Sequence, residues 1–190
     1  MSNVRCAVRR RMSAWMESIL HWDRRMVDAI EESQKLDKLE RAFMTVTYLG
    51  DGYIWAALAL GLLIFGDAVD RLYVGIGFVI TVANIVIFRF IKSATGRIRP
   101  ASAEASRLRN RIDGYSFPSG HATTAFGLAW VVFNCYPYLA AQAGVYFVAG
   151  TIALSRVIVR EHYPLDVLGG AVLGSVVSAA LFPLLMKLAF

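Results

Sequence analysis

Residues Leu72 to Ile91, LYVGIGFVITVANIVIFRFI, run directly into Lys92-Ser-Ala-Thr-Gly-Arg97-Ile-Arg99-Pro100, and this stretch decides how the chain is read. A helix of about 20 apolar residues crosses the hydrocarbon core of a bilayer, and this one ends in a cluster of cations. Four more windows read the same way: Val46 to Phe65, Ser119 to Tyr136, Tyr138 to Ile158 and Leu165 to Met186. Asp51, Asn84, Arg89, Gln142, Arg156 and Asp166 interrupt single windows. Five windows in succession nevertheless leave no long soluble domain whose core they could fill. Apolar residues make up 57% of the 190 positions and mean hydropathy is +0.51, more than a soluble domain of this size carries. The expected fold is all-α, an integral membrane bundle of about five transmembrane helices.

Residues 1–44 read as a charged helical segment ahead of a membrane core at 45–190. Met12, Trp15, Met16, Ile19, Trp22, Met26 and Ile30 share one helical side, interrupted by Asp23, with Arg9, Arg10, Arg11, Arg24 and Arg25 close by. That pattern predicts an amphipathic helix, either lying in the headgroup layer or packed on the protein's own loops. Ile30 to Arg41 is nearly all polar and reads as a solvated helical connector. Met1 to Arg41 has no short apolar core of a cleavable signal, so it is expected to stay in the mature protein. Cys6 and Cys135 show neither metal spacing nor a disulfide pattern. Neither a metal nor a cofactor is expected. Gly170, Gly174 and Ser178 recur every four residues, a stripe read as packing inside the bundle rather than dimerisation.

Three separated stretches carry the chemistry. In the first, Lys92 and Arg99 stand about 10 Å apart if the helix continues, but Gly96 and Pro100 argue that it loosens. Arg97 could replace either partner, and taken alone these cations could simply snorkel to the interface. In the second, Ser119 is a good N-cap and the small Gly120 lets a ligand approach the backbone. Open amides at a helix start form an anion site, and His121 beside it can hand a proton to a leaving oxygen. In the third, Arg156 closes a span, and His162 and Asp166 flank Pro164, which suits the first turn of a helix. A carboxylate on one imidazole nitrogen leaves the other bare to attack. The competing reading is a plain ion pair from His162 or Arg160 to Asp166.

Taken together, Lys92, Arg99 and Pro100, then Pro118, Ser119, Gly120 and His121, then Ser155, Arg156, His162 and Asp166 resemble the three signature motifs of the type 2 phosphatidic acid phosphatase family, related to vanadium haloperoxidases. The likeness runs from about Tyr48 to Leu184. It implies a helical bundle that removes phosphate from a membrane lipid without a metal. It further implies that His162 attacks phosphorus to give a phosphohistidine, Asp166 orients it, and His121 protonates the departing lipid oxygen. Lys92, Arg99, Arg156 and the amides of Ser119 and Gly120 would hold the phosphate oxygens. The substrate would be a phosphate monoester or a diphosphate, of the phosphatidate, phosphatidylglycerol phosphate or undecaprenyl diphosphate type. The alternative is a non-catalytic carrier or binding protein for an anionic lipid or phosphate.

Arg160-Glu161 stands where many relatives carry small or neutral residues. This charged pair either reads a second anionic group on the substrate or is a surface pair. Arg107, Arg109 and Arg111 beside Tyr115 and Phe117 suit a headgroup layer and would draw in an anionic lipid. A nucleic-acid partner fits the net charge of +6 poorly, because the cations crowd the membrane border. The expected location is the cytoplasmic (inner) membrane, multi-pass. Five spans put 18 of the 20 Lys and Arg on the side of the site, which leans that side towards the cytoplasm, whereas the resemblance leans to the outer face.

Overall fold

The computed structural model describes residues 2–100 and 114–189, with side chains described outside 2–13 and 34–38. Arg9, Arg10, Arg11, Met12 and the loop arginines Arg107, Arg109 and Arg111 therefore lie outside the described side chains. Among the described residues seven α-helices follow one another: α1 (Ser2–Glu31), α2 (Gln34–Tyr48), α3 (Ile54–Phe65), α4 (Ala68–Thr95), α5 (Gly120–Cys135), α6 (Leu139–Ile158) and α7 (Pro164–Ala189). A π-helical turn, Leu49–Tyr53, joins α2 to α3.

The helix boundaries follow local chemistry. Asp67 starts α4 by accepting from the amides of Val69 (2.8 Å) and Asp70 (2.9 Å), and Asp70 returns a bond to the Asp67 amide at 3.1 Å. That is a capping box made of two aspartates. Gly96 ends α4 in the left-handed region at φ 58, a conformation that costs glycine little. Arg99 therefore lies on irregular chain, as Gly96 and Pro100 predict. Pro164 opens α7, where a missing amide is harmless.

Four stretches are long and apolar enough to cross a bilayer among the described residues: Leu39–Phe65, Ala68–Thr95, Leu139–Ile158 and Pro164–Ala189. The window at Ser119 to Tyr136 departs from expectation. It forms a helix of only 16 residues, about 24 Å long. Even so, α5 joins the two ends of the bundle. It begins beside the Lys92 end of α4, and just past its other end Tyr136 Oη donates to Asp70 Oδ1, in the first turn of α4, at 2.6 Å. It can be short because it packs among α4, α6 and α7 rather than facing lipid all round.

Close approach of α5 and α7 centres the bundle. A Cβ on Gly174 would lie 2.0 Å from the carbonyl oxygen of Thr123, and one on Gly170 would lie 2.4 Å from that of Ser119. The stripe of small residues is thus an internal packing surface, and Ala122, Ala125 and Ala129 on α5 are fully buried. Asn84 reaches across to Ser178 Oγ at 3.4 Å. At the other flank, Ser155 Oγ donates to the Ile152 carbonyl at 2.7 Å and pairs at 2.7 Å with Thr47 Oγ1, which ties α2 to α6.

On α1, Trp15, Met16, Ile19, Trp22 and Met26 are exposed while Asp23 and Val27 are buried. The helix therefore turns one edge to the protein and leaves its apolar stripe outward.

Candidate active site

The three stretches meet at one end of the bundle. Lys92, in the last turn of α4, is buried with its ammonium 5.7 Å from the Phe88 ring centre. Arg156, in the last turn of α6, is also buried, and Arg99 reaches the same carboxylate from the chain beyond Gly96. Glu161 Oε2 accepts from Arg156 Nη2 and, at 3.1 Å, from Arg99 Nη1. Arg99 Nη1 also donates to the Glu161 carbonyl at 3.3 Å. A buried carboxylate of this kind offsets part of the cost of desolvating two guanidinium groups.

Arg160 and Glu161 thus have separate roles. Arg160 adopts φ 58 and points the other way, donating to Glu40 Oε2 on α2 at 2.5 Å. Its guanidinium is engaged on a different element from the arginines that Glu161 joins.

His162 is almost completely buried and its amide donates to the Arg156 carbonyl at 3.1 Å. Burial first, then the positive fields of Arg156, Arg99 and Lys92, hold the imidazole well below its ordinary pKa, with Glu161 opposing. The ring is therefore neutral at neutral pH, which a nucleophile requires. His162 Nδ1 lies 3.6 Å from Asp166 Oδ2, ion-pair range rather than a hydrogen bond, and it has no hydrogen-bond partner among the described residues. The expected bond between the two is absent because better-placed donors fill the carboxylate. Tyr163 N donates to Oδ2 at 2.9 Å, Ser116 Oγ donates to the same oxygen, and Arg97 Nη1 donates to Oδ1 at 2.6 Å.

Arg97 therefore stands behind Asp166. Its other nitrogen donates to Asp23 Oδ2 at 2.5 Å, and its guanidinium lies 4.3 Å from the Tyr163 ring centre. As a stand-in for Lys92 or Arg99 it is badly placed, since two carboxylates hold it.

The second stretch also differs in detail. The Ser119 amide donates to the Asp166 carbonyl at 2.9 Å, so this residue offers its hydroxyl rather than its amide. That hydroxyl is buried with no partner among the described residues. Gly120 is small for another reason than ligand approach, since a Cβ there would lie 2.9 Å from Phe88 Cζ. His121 Nε2 donates to Asp51 Oδ1.

Asp51 escaped the sequence reading, where it counted only as a polar interruption of a span. Its signal was a carboxylate between Gly50 and Gly52 at bilayer depth, and such groups usually have a partner and a purpose. The π-helical turn, with Gly52 at φ 116, faces the carboxylate to His121. Below that pair an apolar groove of about 570 Å³ runs between α3, α4 and α5, lined by Trp55, Phe88, Arg89, His121 and Leu128 among others.

The arrangement can hold a tetrahedral anion against a neutral imidazole while a second imidazole faces an apolar channel. The shared position of Glu161 generates a prediction. Glu161→Gln removes a counter-charge from buried Arg156 and partly buried Arg99 and is expected to cost about 3 kcal/mol of stability. Thermal melting in detergent measures this, and added sulfate should restore more of the loss in the variant than it adds to the parent.

The family model of the PAP2 superfamily matches residues 72–189. The lipid A 4'-phosphatase of Bacteroides thetaiotaomicron is 31% identical over 108 residues, 53% of this chain and 48% of that protein. The undecaprenyl-diphosphatase of Sulfolobus acidocaldarius is 33% identical over 132 residues, 68% of this chain and 62% of that protein. The chain thus matches between about half and three-fifths of the length of these two relatives. Among solved structures, the transmembrane PAP2 type phosphatidylglycerolphosphate phosphatase from Bacillus subtilis overlays with a TM-score of 0.66 at 19% identity, covering 90% of this chain and 87% of the other. Aquifex aeolicus LpxE overlays with a TM-score of 0.59 at 26% identity, covering 85% and 92%. With three motifs converging in a transmembrane helical bundle and a family match across most of it, the chain belongs to the PAP2 superfamily.

Proposed function

We propose that the chain is a metal-independent membrane lipid phosphatase that cleaves a phosphate monoester or diphosphate through a phosphohistidine on His162. The observation that carries this reading is the buried His162 imidazole, whose burial and neighbours Arg156, Arg99 and Lys92 favour its neutral form, beside an apolar groove headed by His121. Phosphoryl transfer needs charge compensation on the equatorial oxygens more than it needs a strong base. The cations and the Ser119 hydroxyl supply it. The bare nitrogen of His162 bonds to phosphorus as the bond from phosphorus to the lipid oxygen breaks, and His121 delivers a proton to that oxygen. Water then loses a proton to His121 and attacks phosphorus, the bond to nitrogen breaks, and orthophosphate leaves. Asp51 holds the His121 ring for both steps. Relatives named for lipid A, undecaprenyl diphosphate and phosphatidylglycerolphosphate support a lipid substrate.

A non-catalytic carrier would use the same cations but has no need of His162. Acid-labile phosphate is expected on His162 during turnover, and His162→Ala is expected to lower phosphate release by roughly 1,000-fold or more. Binding of lipid phosphate with neither phosphohistidine nor release would establish the carrier.

Arg89 favours a diphosphate over a monoester. It precedes Lys92 by one turn of α4, about 4.5 Å, lines the groove with His121, and has no ion-pair partner among the described residues. Whatever lies beyond His121 belongs to the departing lipid, so a cation there suits a second phosphoryl group. Arg89→Gln should lower kcat/KM for farnesyl diphosphate by about 10- to 100-fold, the size of one lost charged hydrogen bond. Phosphatidate hydrolysis should change little, and equal losses on both substrates would remove the preference.

The site also faces the cytoplasmic side of the inner membrane in this reading, because a five-span topology assigns 18 of the 20 Lys and Arg to that side. Cysteines placed at 101–110 should then resist an impermeant thiol reagent in intact cells. Ready labelling would reverse the orientation.

A further inference from the structure

Asp23 is a carboxylate in the middle of an otherwise apolar helical side, and it is completely buried. An isolated buried carboxylate is costly, so its partners matter. Asp23 Oδ2 accepts from Arg97 Nη2 at 2.5 Å, and Asp23 Oδ1 accepts from the amide of Leu165 at 2.9 Å. Leu165 lies in the first turn of α7, where open amides and the helix dipole both favour a negative charge. Arg97 Nη1 in turn donates to Asp166 Oδ1 at 2.6 Å. A planar guanidinium fixed at two corners by carboxylates and on one face by Tyr163 has little freedom left.

We propose that Asp23 is a positioning residue for the reaction: it anchors Arg97, Arg97 anchors Asp166, and Asp166 places its carboxylate charge 3.6 Å from His162 Nδ1. The inference rests on the phosphatase reading above. It makes α1 a working part of the active site although it lies outside residues 72–189, which carry the family match. Trp15, Met16, Ile19 and Trp22, which precede Asp23 on α1, are all exposed on the outward stripe. The helix that suits the headgroup layer is therefore the one that holds the catalytic carboxylate in place. Displacing α1 from the membrane surface would disturb Asp166 through a single arginine.

The test uses the full-length protein in lipid bilayers, with phosphate release from phosphatidate and farnesyl diphosphate as the readout. Asp23→Asn is expected to lower kcat by about 10- to 100-fold, the usual effect of a small misplacement at a reacting centre. KM should change by less than about threefold, since substrate ligands are untouched. Asp23→Glu, which keeps the charge, should recover part of the loss. The Asp23→Asn, Arg97→Gln double variant should be no slower than Arg97→Gln alone, because both act through one chain of contacts. Unchanged kcat in a folded Asp23→Asn protein, or additive losses in the double variant, would overturn the proposal. Should Asp23→Asn fail to fold, Arg97→Gln decides: unchanged kcat in a folded Arg97→Gln protein also overturns it. A parent protein that hydrolyses neither lipid would instead refute the phosphatase reading itself.

Discussion

Three arginines and a lysine lie close together at the end of a membrane bundle, and the site depends on how carboxylates divide them. Glu161 joins Arg99 and Arg156 into one unit. Asp166 and Asp23 hold Arg97 as a second unit. Lys92 completes the positive surround of His162. Without this division the guanidinium groups would repel one another across a poorly solvated space. With it, two arginines share one carboxylate and the third is held by two others.

Backbone proximity makes the arrangement possible. Gly170 and Gly174 let α7 press against α5 until the Ser119 amide reaches the Asp166 carbonyl. That contact joins the second motif to the third directly. The first joins through Ser116, whose amide donates to the Arg97 carbonyl at 2.7 Å and whose hydroxyl donates to Asp166. Small residues deep in the bundle thus control geometry at its end, since interiors packed this tightly transmit displacement rather than absorb it.

The groove below His121 places apolar surface where a lipid chain would lie and keeps the polar chemistry at its head. In the proposed mechanism the two histidines face different surroundings. His162 is sealed among cations, whereas His121 is partly open and holds a carboxylate partner. A buried neutral base and a partly open proton carrier suit attack and departure respectively.

Residue order by itself determined the membrane class, the end of α4, the start of α7, and the residues of the three motifs. These follow from local physics: apolar length, capping groups, a glycine in the left-handed region and a proline in a first turn. The role of Gly170, Gly174 and Ser178 was also legible, since their four-residue spacing marks one helical face. What the charges do was not legible. Asp23 read as a flaw in an apolar stripe, Asp51 as a flaw in a span, Arg97 as a spare phosphate ligand, and Glu161 as half of a surface pair. Each acquired its part only when residues far apart in the chain met, because a charge takes its meaning from its partner and its solvent exposure. Sequence spacing records neither, and tertiary structure decides both.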